Sequence, residues 1–305
     1  MVSRAQGERP QDLAGAVRPR ASVIAPFAGS AADLSVFIKN LEVLERRPGD
    51  EVIVVDNRPG APAPSAAPPN IVLHHAGAIA TPAFARNEGS RLASAEWLVF
   101  VDADTRPQPD LLDAYFNTPP APDTAVLAGG IVDVAARPTL VARHDVARGR
   151  MGQGMTLRRD GLPYAQTANC AVRRVAFEQV AGFDELARAG EDADLCFRLQ
   201  RAGWKLEERP SATVEHRARQ TLRACVAQNL VHGSGVAWLN RRWPGEFPAP
   251  GPRWLAVRTL GLTGRALRAL ASGDRQEAAF MLLDLAEVSA RDLGRLLPNT
   301  PKRRG

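Results

Sequence analysis

Cysteine is scarce in this chain. Its three cysteines, Cys170, Cys196 and Cys225, lie far apart, and none belongs to a Cys-x-x-Cys pair. This spacing argues against a disulfide framework and a zinc knuckle, and it favours a reducing compartment. Residues 1–20 have no apolar run of the kind found in signal peptides, and no stretch of about 18 uncharged apolar residues occurs. We therefore expect a cytoplasmic protein with neither a signal peptide nor a membrane-spanning helix.

An excess of positive charge is also missing from most of the chain. The net charge is +6, but residues 21–250 carry 25 basic and 26 acidic side chains, whereas residues 251–305 carry ten basic and five acidic ones. A neutral body argues against nucleic acid as a partner. The basic C-terminal segment allows contact with an anionic membrane surface, on the inner face of the cell membrane. Two alternatives stay open, a solvated arginine-rich face and an apolar helix face packed on the rest of the protein.

Apolar strand patterns alternate with helical patterns from Ser22 to about Thr213, which predicts an α/β sheet flanked by helices. After His216 only helical patterns follow. We therefore predict a disordered tail over residues 1–20, a catalytic domain over 21–220 and a helical extension over 221–305. In detail, Pro26 is predicted to stop the first strand and Asp33 to cap the first helix, and a linker rich in Pro and Ala is predicted from Arg58 to Pro69.

The most informative segment is Val99-Phe100-Val101-Asp102-Ala103-Asp104, in which an apolar strand ends in two carboxylates one residue apart. The carboxyl end of a strand is where open α/β sheets bind ligands. Two hard oxygen donors there suit a divalent cation that carries phosphates. The alternative is an ordinary pair of acids in a surface loop.

Five features occur in chain order: Pro26 at one strand end, Asp56 at the next, Arg86-Asn87, the Asp102–Asp104 pair, and Glu191-Asp192 at a predicted helix start. Together they resemble the family-2 glycosyltransferases. So do Ala168-Asn169-Cys170-Ala171-Val172-Arg173-Arg174, Gly182-Phe183-Asp184-Glu185 and the run from Glu191 to Arg198. The resemblance covers residues 21–220 and implies a GT-A fold with a mixed sheet, a nucleotide-sugar donor, Mn²⁺ or Mg²⁺, and inversion at the anomeric carbon.

Site residues follow from this resemblance. It implies a donor site formed by Ala25, Pro26, Asp56, Arg86, Asp102, Ala103 and Asp104. Asp56 would accept a hydrogen bond from the base, and Arg86 would lie near the ribose or diphosphate. Asp104, with Asp102 and His216, would hold the cation that neutralises the leaving nucleoside diphosphate. For His216 a purely structural role is the alternative.

The resemblance also assigns Asp192 as the base that takes the proton of the acceptor hydroxyl. Because Asp192 lies in the first turn of a predicted helix, we expect its pKa to stay near the ordinary value of about 3.9. Glu191 and Asp194 are predicted to position the loop or the acceptor. Trp204 is predicted on the acceptor side, with a core position as the alternative.

The chain departs from the family pattern at positions that bear on the substrates. Asp56-Asn57-Arg58-Pro59 stands where many relatives have Asp-Asp-Gly-Ser, so the choice of nucleotide stays open, with a UDP-sugar favoured. Gln228 and Arg241-Arg242-Trp243 are too far apart for the motif of processive synthases, which favours single sugar addition. The stretch from His232 to Gly245 faintly resembles the segment after the catalytic domain in mycofactocin-type transferases.

The predicted function is transfer of one sugar to an acceptor hydroxyl in polysaccharide, glycolipid or glycoconjugate biosynthesis. Three alternatives are weaker. A sugar-phosphate nucleotidyltransferase needs a Gly-rich basic loop after its first strand, and a dinucleotide-dependent oxidoreductase needs Gly-x-Gly-x-x-Gly there; neither is present. A degenerate sugar-nucleotide-binding scaffold would not need Asp102, Asp104 and Asp192 together.

Overall fold

A computed structural model describes residues 18–60 and 68–301 of the chain. Within these ranges, eight strands are interspersed with helices up to Arg217, and three long helices follow. The strands are β1 Ala21–Phe27, β2 Glu51–Asp56, β3 Val72–His75, β4 Trp97–Val101, β5 Thr105–Pro107, β6 Thr124–Val134, β7 Asn169–Arg173 and β8 Lys205–Arg217. The helices are α1 Ala31–Glu42, α2 Pro82–Leu92, α3 Leu111–Tyr115, α4 Leu140–Arg148, α5 Gly154–Leu157, α6 Arg174–Gln179, α7 Glu191–Arg201, α8 Leu222–Arg242, α9 Pro252–Ala271 and α10 Arg275–Gly294.

All eight strands form one mixed sheet in the order β3-β2-β1-β4-β7-β6-β8-β5. β1, β2, β3 and β4 run parallel, whereas β7 is antiparallel to both of its neighbours. Successive residues of β4 pack into different cores, Val99 and Val101 on one face of the sheet and Leu98 and Phe100 on the other. This alternation is the strand period of two, and it explains why β4 is apolar at every position.

Two local predictions at the first strand are wrong. β1 continues through Pro26 to Phe27, because Pro26 pairs in register with Val55 and a strand tolerates proline where no backbone donor is needed. The cap of α1 is Ser30, whose side chain accepts from the amide of Asp33; Asp33 is the third residue of the helix and completes a capping box.

Two other predictions fall partly outside the described residues. The predicted tail lies outside them up to residue 17, and the predicted linker lies outside them over residues 61–67. Arg18, within the predicted tail, is buried and its guanidinium pairs with Asp50. The division of the chain at residue 220 stays a prediction.

The C-terminal helices pack tightly at α8 and α10. A Cβ atom on Gly233 would lie 2.0 Å from the carbonyl oxygen of Arg291, and one on Gly294 would lie 2.2 Å from that of Leu230. Only glycine therefore allows these two helices to approach so closely. α10 also contacts α4, which connects the helical segment to the part of the chain that forms the sheet.

α9 differs from the sequence expectation. α9 ends at Ala271, and Arg275 begins the next helix, α10, which Asp274 caps. α9 packs on α10, and its only buried residue is Ala266. Val257, Leu260 and Leu267 are more than half exposed, so these side chains are not packed on the rest of the protein, as one of the two alternatives expected. Among residues 18–60 and 68–301, no helix combines the length and apolarity that a membrane span requires.

Candidate functional site

Two clefts meet at the carboxyl end of β4. One has a volume of about 700 Å³, and its walls include Pro26, Phe27 and Asn57. The other, of about 380 Å³, extends toward α7 and the C-terminal helices and includes Asp192 in its wall. Both are lined by Pro82, Arg86, Asp102 and Asp104. We call them the first and the second cleft; a ligand in the first would present one end to the second at these shared residues.

Arg86 connects the two clefts through a buried ion-pair network. From α2, its Nη2 donates to Asp102 Oδ1 over 2.6 Å, and its Nη1 donates to Glu191 Oε1 over 2.8 Å. Burial would lower the pKa of Arg86, but Asp102 and Glu191 outweigh it and hold this pKa above its ordinary value. The guanidinium therefore stays charged and fixes the strand end against the start of α7.

Asp104 and His216 form the second element of the junction. Asp104 is half exposed, and its Oδ2 lies 3.4 Å from Nε2 of buried His216. His216 Nδ1 lies 2.7 Å from Oδ1 of Asp133. The sheet makes this arrangement: β8 lies between β5 and β6, and its register pairs His216 with Thr105 on one side and with Asp133 on the other.

The sequence analysis missed Asp133. A carboxylate that binds the far nitrogen of a histidine fixes the ring and is the usual companion of a metal-binding histidine. Burial would lower the pKa of His216, but hydrogen bonds with Asp104 and Asp133 outweigh it and raise this pKa to about 9. The only signal in the sequence was that Asp133 is an acid within the otherwise apolar β6. The sequence did not reveal that β6 pairs with β8.

The three predicted metal ligands are brought together only in part. Asp104 and His216 face each other, whereas the carboxylate of Asp102 bonds to Arg86. Within the described ranges 18–60 and 68–301, these three residues do not form a group whose ligand atoms all lie within 4.8 Å of one another. A nitrogen and a carboxylate oxygen with an oriented ring nevertheless fit Mn²⁺, which accepts both donor types.

Asp192 lies at the start of α7 in the wall of the second cleft. Gly190 precedes the helix with φ of 85°, a conformation that favours glycine. The expected ordinary pKa is wrong: burial, followed by repulsion from Glu191, raises the pKa of Asp192 to about 7. The positive end of the helix dipole lowers the pKa of Asp192 by too little to offset the loss of solvation, which raises it. A carboxylate with this pKa is matched to proton transfer near neutral pH.

On the first cleft, the predicted base-binding residues differ in access. Pro26 and Ala103 line the cleft, whereas Ala25 is fully buried in β1. The carboxylate of Asp56 is also buried and accepts from Arg58 Nε over 2.8 Å and from Arg58 Nη2 over 2.6 Å. A ligand could reach Asp56 only if Arg58 moved away.

Two further predicted residues, Asp194 for positioning the loop or the acceptor and Trp204 for the acceptor side, lie outside the walls of both clefts. Asp194 is fully buried and accepts from Trp243 Nε1 and Arg198 Nε, each over 2.9 Å, so it attaches α7 to the end of α8. Trp204 packs against the core and donates from Nε1 to Gln179 over 2.8 Å. Neither lines either cleft. For Trp204 the core alternative is the observed one.

Comparisons with known proteins indicate the family of this chain. A family model described as "Glycosyl transferase family group 2" matches residues 97–285. The pre-mycofactocin glycosyltransferase of Mycobacterium tuberculosis is 31% identical over 246 residues, which are 78% of this chain and 51% of that protein. An N-acetylglucosaminyl-diphospho-decaprenol L-rhamnosyltransferase of the same organism is 40% identical over 94 residues, 30% of each chain. The chain thus spans about half the length of the first of these relatives.

A solved structure shares the fold. It is the mannosyltransferase PcManGT from Pyrobaculum calidifontis in complex with GDP-Man and Mn²⁺, which is 19% identical. The superposition covers 93% of this chain and 90% of that chain with a TM-score of 0.58. The predicted mixed sheet flanked by helices, with helices following it, is confirmed.

Proposed function

Because the chain belongs to glycosyl transferase family group 2, we propose that it transfers one sugar from a nucleoside-diphosphate sugar to an acceptor hydroxyl, with inversion. The observation that carries this proposal is the junction of two clefts at Arg86, Asp102 and Asp104, with Asp192 in the wall of the second cleft alone. Inversion requires donor and base on opposite sides of the reacting carbon, and the position of Asp192 away from the first cleft supports this proposal.

The first cleft would hold the nucleotide, with Pro26 and Asn57 beside the base and the diphosphate directed at Asp104. Mn²⁺ or Mg²⁺ held by Asp104 and His216 would supply positive charge to the leaving diphosphate. Arg86 holds the carboxylate of Asp102 at the end of β4 through a hydrogen bond to its Oδ1. UDP and GDP are both compatible with this site, and a UDP-sugar was the sequence expectation.

In the second cleft, Asp192 would accept the proton of the acceptor hydroxyl as its oxygen attacks the sugar. Glu191 would hold the start of α7 in position through its hydrogen bond to Arg86. The half-buried phenol of Tyr164 also lines this cleft, and desolvation, with a smaller contribution from Asp192, raises its pKa. Tyr164 therefore remains a neutral donor and does not compete with Asp192 for the role of base.

Calorimetric titration of UDP, GDP and dTDP, with and without Mn²⁺, tests the donor site. We expect one nucleotide to bind only with metal, and Asp104→Ala to raise its Kd by about tenfold or more, because the cation loses its most exposed ligand. Asp123→Ala removes an exposed carboxylate that pairs with Lys205 and should change nothing. If none of the nucleotides binds with metal present, the donor site is wrongly assigned.

The pH dependence of kcat/KM tests the role of Asp192. A base must be ionised, so activity should be lost as the pH falls through about 7, the pKa of Asp192, and should reach a plateau above it. Glu191→Gln removes one cause of the raised pKa, so it should move this midpoint to lower pH. An acidic limb near pH 4 would show that a carboxylate of ordinary pKa, and not the half-buried Asp192, is the base.

We also propose that α9 binds a membrane surface, at the inner face of the membrane. Its exposed apolar side chains recur at helical spacing, and arginines accompany them. The apolar ones are Trp254, Val257, Leu260, Leu267 and Leu270.

Co-sedimentation with phosphatidylglycerol and phosphatidylcholine vesicles tests this surface. We expect binding to the anionic vesicles that weakens with salt. The double variant Leu260→Asp with Leu267→Asp should abolish it, whereas Val175→Asp, at an equally exposed position on α6, should not. Equal sedimentation of the wild type with neutral and anionic vesicles would contradict the proposal.

A further inference from the structure

A second group of potential ligands lies apart from the Asp104–His216 pair, where α4, α8 and α10 meet. His144 Nδ1 and carboxylate oxygens of Asp145 and Glu287 all lie within 4.8 Å of one another, and all three residues are buried. It is the only such group within the described residues. We infer that these three residues bind a divalent transition-metal ion such as Zn²⁺.

The orientation of His144 supports this inference. Its Nε2 lies 3.0 Å from Asp284 Oδ1, which fixes the ring. Its Nδ1 has no hydrogen-bond partner among the described residues, although the side chain is fully buried. This nitrogen points into the group, 3.4 Å from Glu287 Oε1 and 3.6 Å from Asp145 Oδ1. A histidine held at one nitrogen by a carboxylate, with the other directed at two more, is the arrangement of a metal ligand with its supporting acid.

The negative charge of the carboxylates around this group exceeds the positive charge of the nearby arginines. A divalent ion would supply the missing positive charge. Four carboxylates are close: Asp145, Glu277, Asp284 and Glu287. Two arginines compensate them, Arg148 with Glu277 and Asp284, and Arg150 with Asp284 and Glu287. Arg291 also interacts with Glu287. With His144 neutral, the four carboxylates therefore face three guanidinium groups, and one negative charge lacks a partner, which is costly beside buried side chains.

The donor types select the kind of ion. One imidazole nitrogen with two carboxylate oxygens suits Zn²⁺, Co²⁺ or Fe²⁺ better than Mg²⁺ or Ca²⁺. The thiol of Cys225 adjoins the group, with Sγ 3.0 Å from Glu287 Oε1, and adds a soft donor at its edge. Asp145, Cys225 and Glu287 also line the second cleft, which gives an ion a path from solvent.

The consequence would be structural. Asp145 and His144 lie on α4, which follows the sheet strand β6, whereas Glu287 lies on α10 and Cys225 on α8. An ion here would join the C-terminal helices to the part of the chain that forms the sheet, beside the cleft that we assign to the acceptor. This inference does not depend on the proposed glycosyl transfer.

The test is calorimetric titration of the full-length, chelator-treated protein with Zn²⁺ in excess Mg²⁺, together with its thermal unfolding. We expect one equivalent of Zn²⁺ to bind and to raise Tm in the wild type and equally in Asp104→Asn, whose substitution affects only the other site. His144→Gln and Glu287→Gln should weaken this binding by about 100-fold. Circular dichroism establishes that each variant is folded.

Co²⁺ gives an independent readout that needs no variant. Its absorption spectrum in the wild type should show the intense bands of low-coordinate cobalt, and excess Zn²⁺ should remove them. If the wild type takes up no stoichiometric Zn²⁺, or if His144→Gln and Glu287→Gln both fold and bind as tightly as the wild type, the inference is overturned. In the first case the group is an ion-pair network completed by a proton on His144.

Discussion

Asp192→Asn is expected to lower kcat by about 10²- to 10⁴-fold, which is the usual contribution of a general base. Asparagine has nearly the same shape as aspartate but cannot accept the proton of the acceptor hydroxyl. Because Asp192 lies in the second cleft and not in the first, the affinity for the donor nucleotide should stay unchanged. The measurement is release of UDP or GDP from the sugar nucleotide that supports turnover, combined with nucleotide titration of the same variant.

Asp194→Asn is the matched control, two residues further along α7. Asp194 bonds to Trp243 and Arg198 and lines neither cleft, so its loss should lower the free energy of unfolding but leave kcat per folded enzyme within about tenfold of the wild type. If Asp192→Asn keeps most of its activity, or if both variants lose activity to the same extent, Asp192 is not the base.

Arg86→Met is expected to give the largest loss of stability among single substitutions at the site. Methionine has a similar length but leaves the carboxylates of Asp102 and Glu191 facing each other without a cation. Breaking a buried pair by removing one partner costs about 3 to 5 kcal/mol. We expect the lower end of that range, since Asp102 is 31% exposed and water can compensate part of its charge. Urea denaturation measures the difference.

Arg91→Met on the same helix is the control, because Arg91 is 57% exposed and pairs with Glu88 and Glu185 at the surface. Its loss should cost at most about 1 kcal/mol. Without Arg86, the carboxylates of Asp102 and Glu191 have no cation. The double variant Arg86→Met with Glu191→Gln removes one of these two negative charges, so it should recover part of the lost stability. Equal effects of Arg86→Met and Arg91→Met would mean that the buried network does not stabilise the junction.

Local sequence was sufficient for the elements that border the site. The apolar run of β4 ends at Val101, as predicted, and places Asp102 and Asp104 at the sheet edge where ligands bind. α7 begins at Glu191, also as predicted. Both results depend on patterns within a few residues, the continuous apolar run of a strand buried on both faces and the helical spacing after Gly190. Sequence motifs alone also indicated the family, which the family model confirms.

Contacts between distant segments required the folded chain. Asp133 and His216 are 83 residues apart in sequence and meet only because β6 and β8 are neighbours in register. Strand order and register are properties of the whole sheet, and no local pattern encodes them. The same is true of Arg86, which reaches Asp102 and Glu191 from a third element.

The protonation and the hydrogen-bond partners of the acids on α7 also depend on their surroundings in the folded chain. A carboxylate in the first turn of an isolated helix has an ordinary pKa, but burial beside Glu191 raises that of Asp192 to about 7. Asp194, from the same short motif, is instead enclosed by α8 and becomes a structural acid. Residue type and spacing therefore determined which groups are present at this edge of the sheet. Their protonation and partners depend on solvation and long-range packing, which only the tertiary structure establishes.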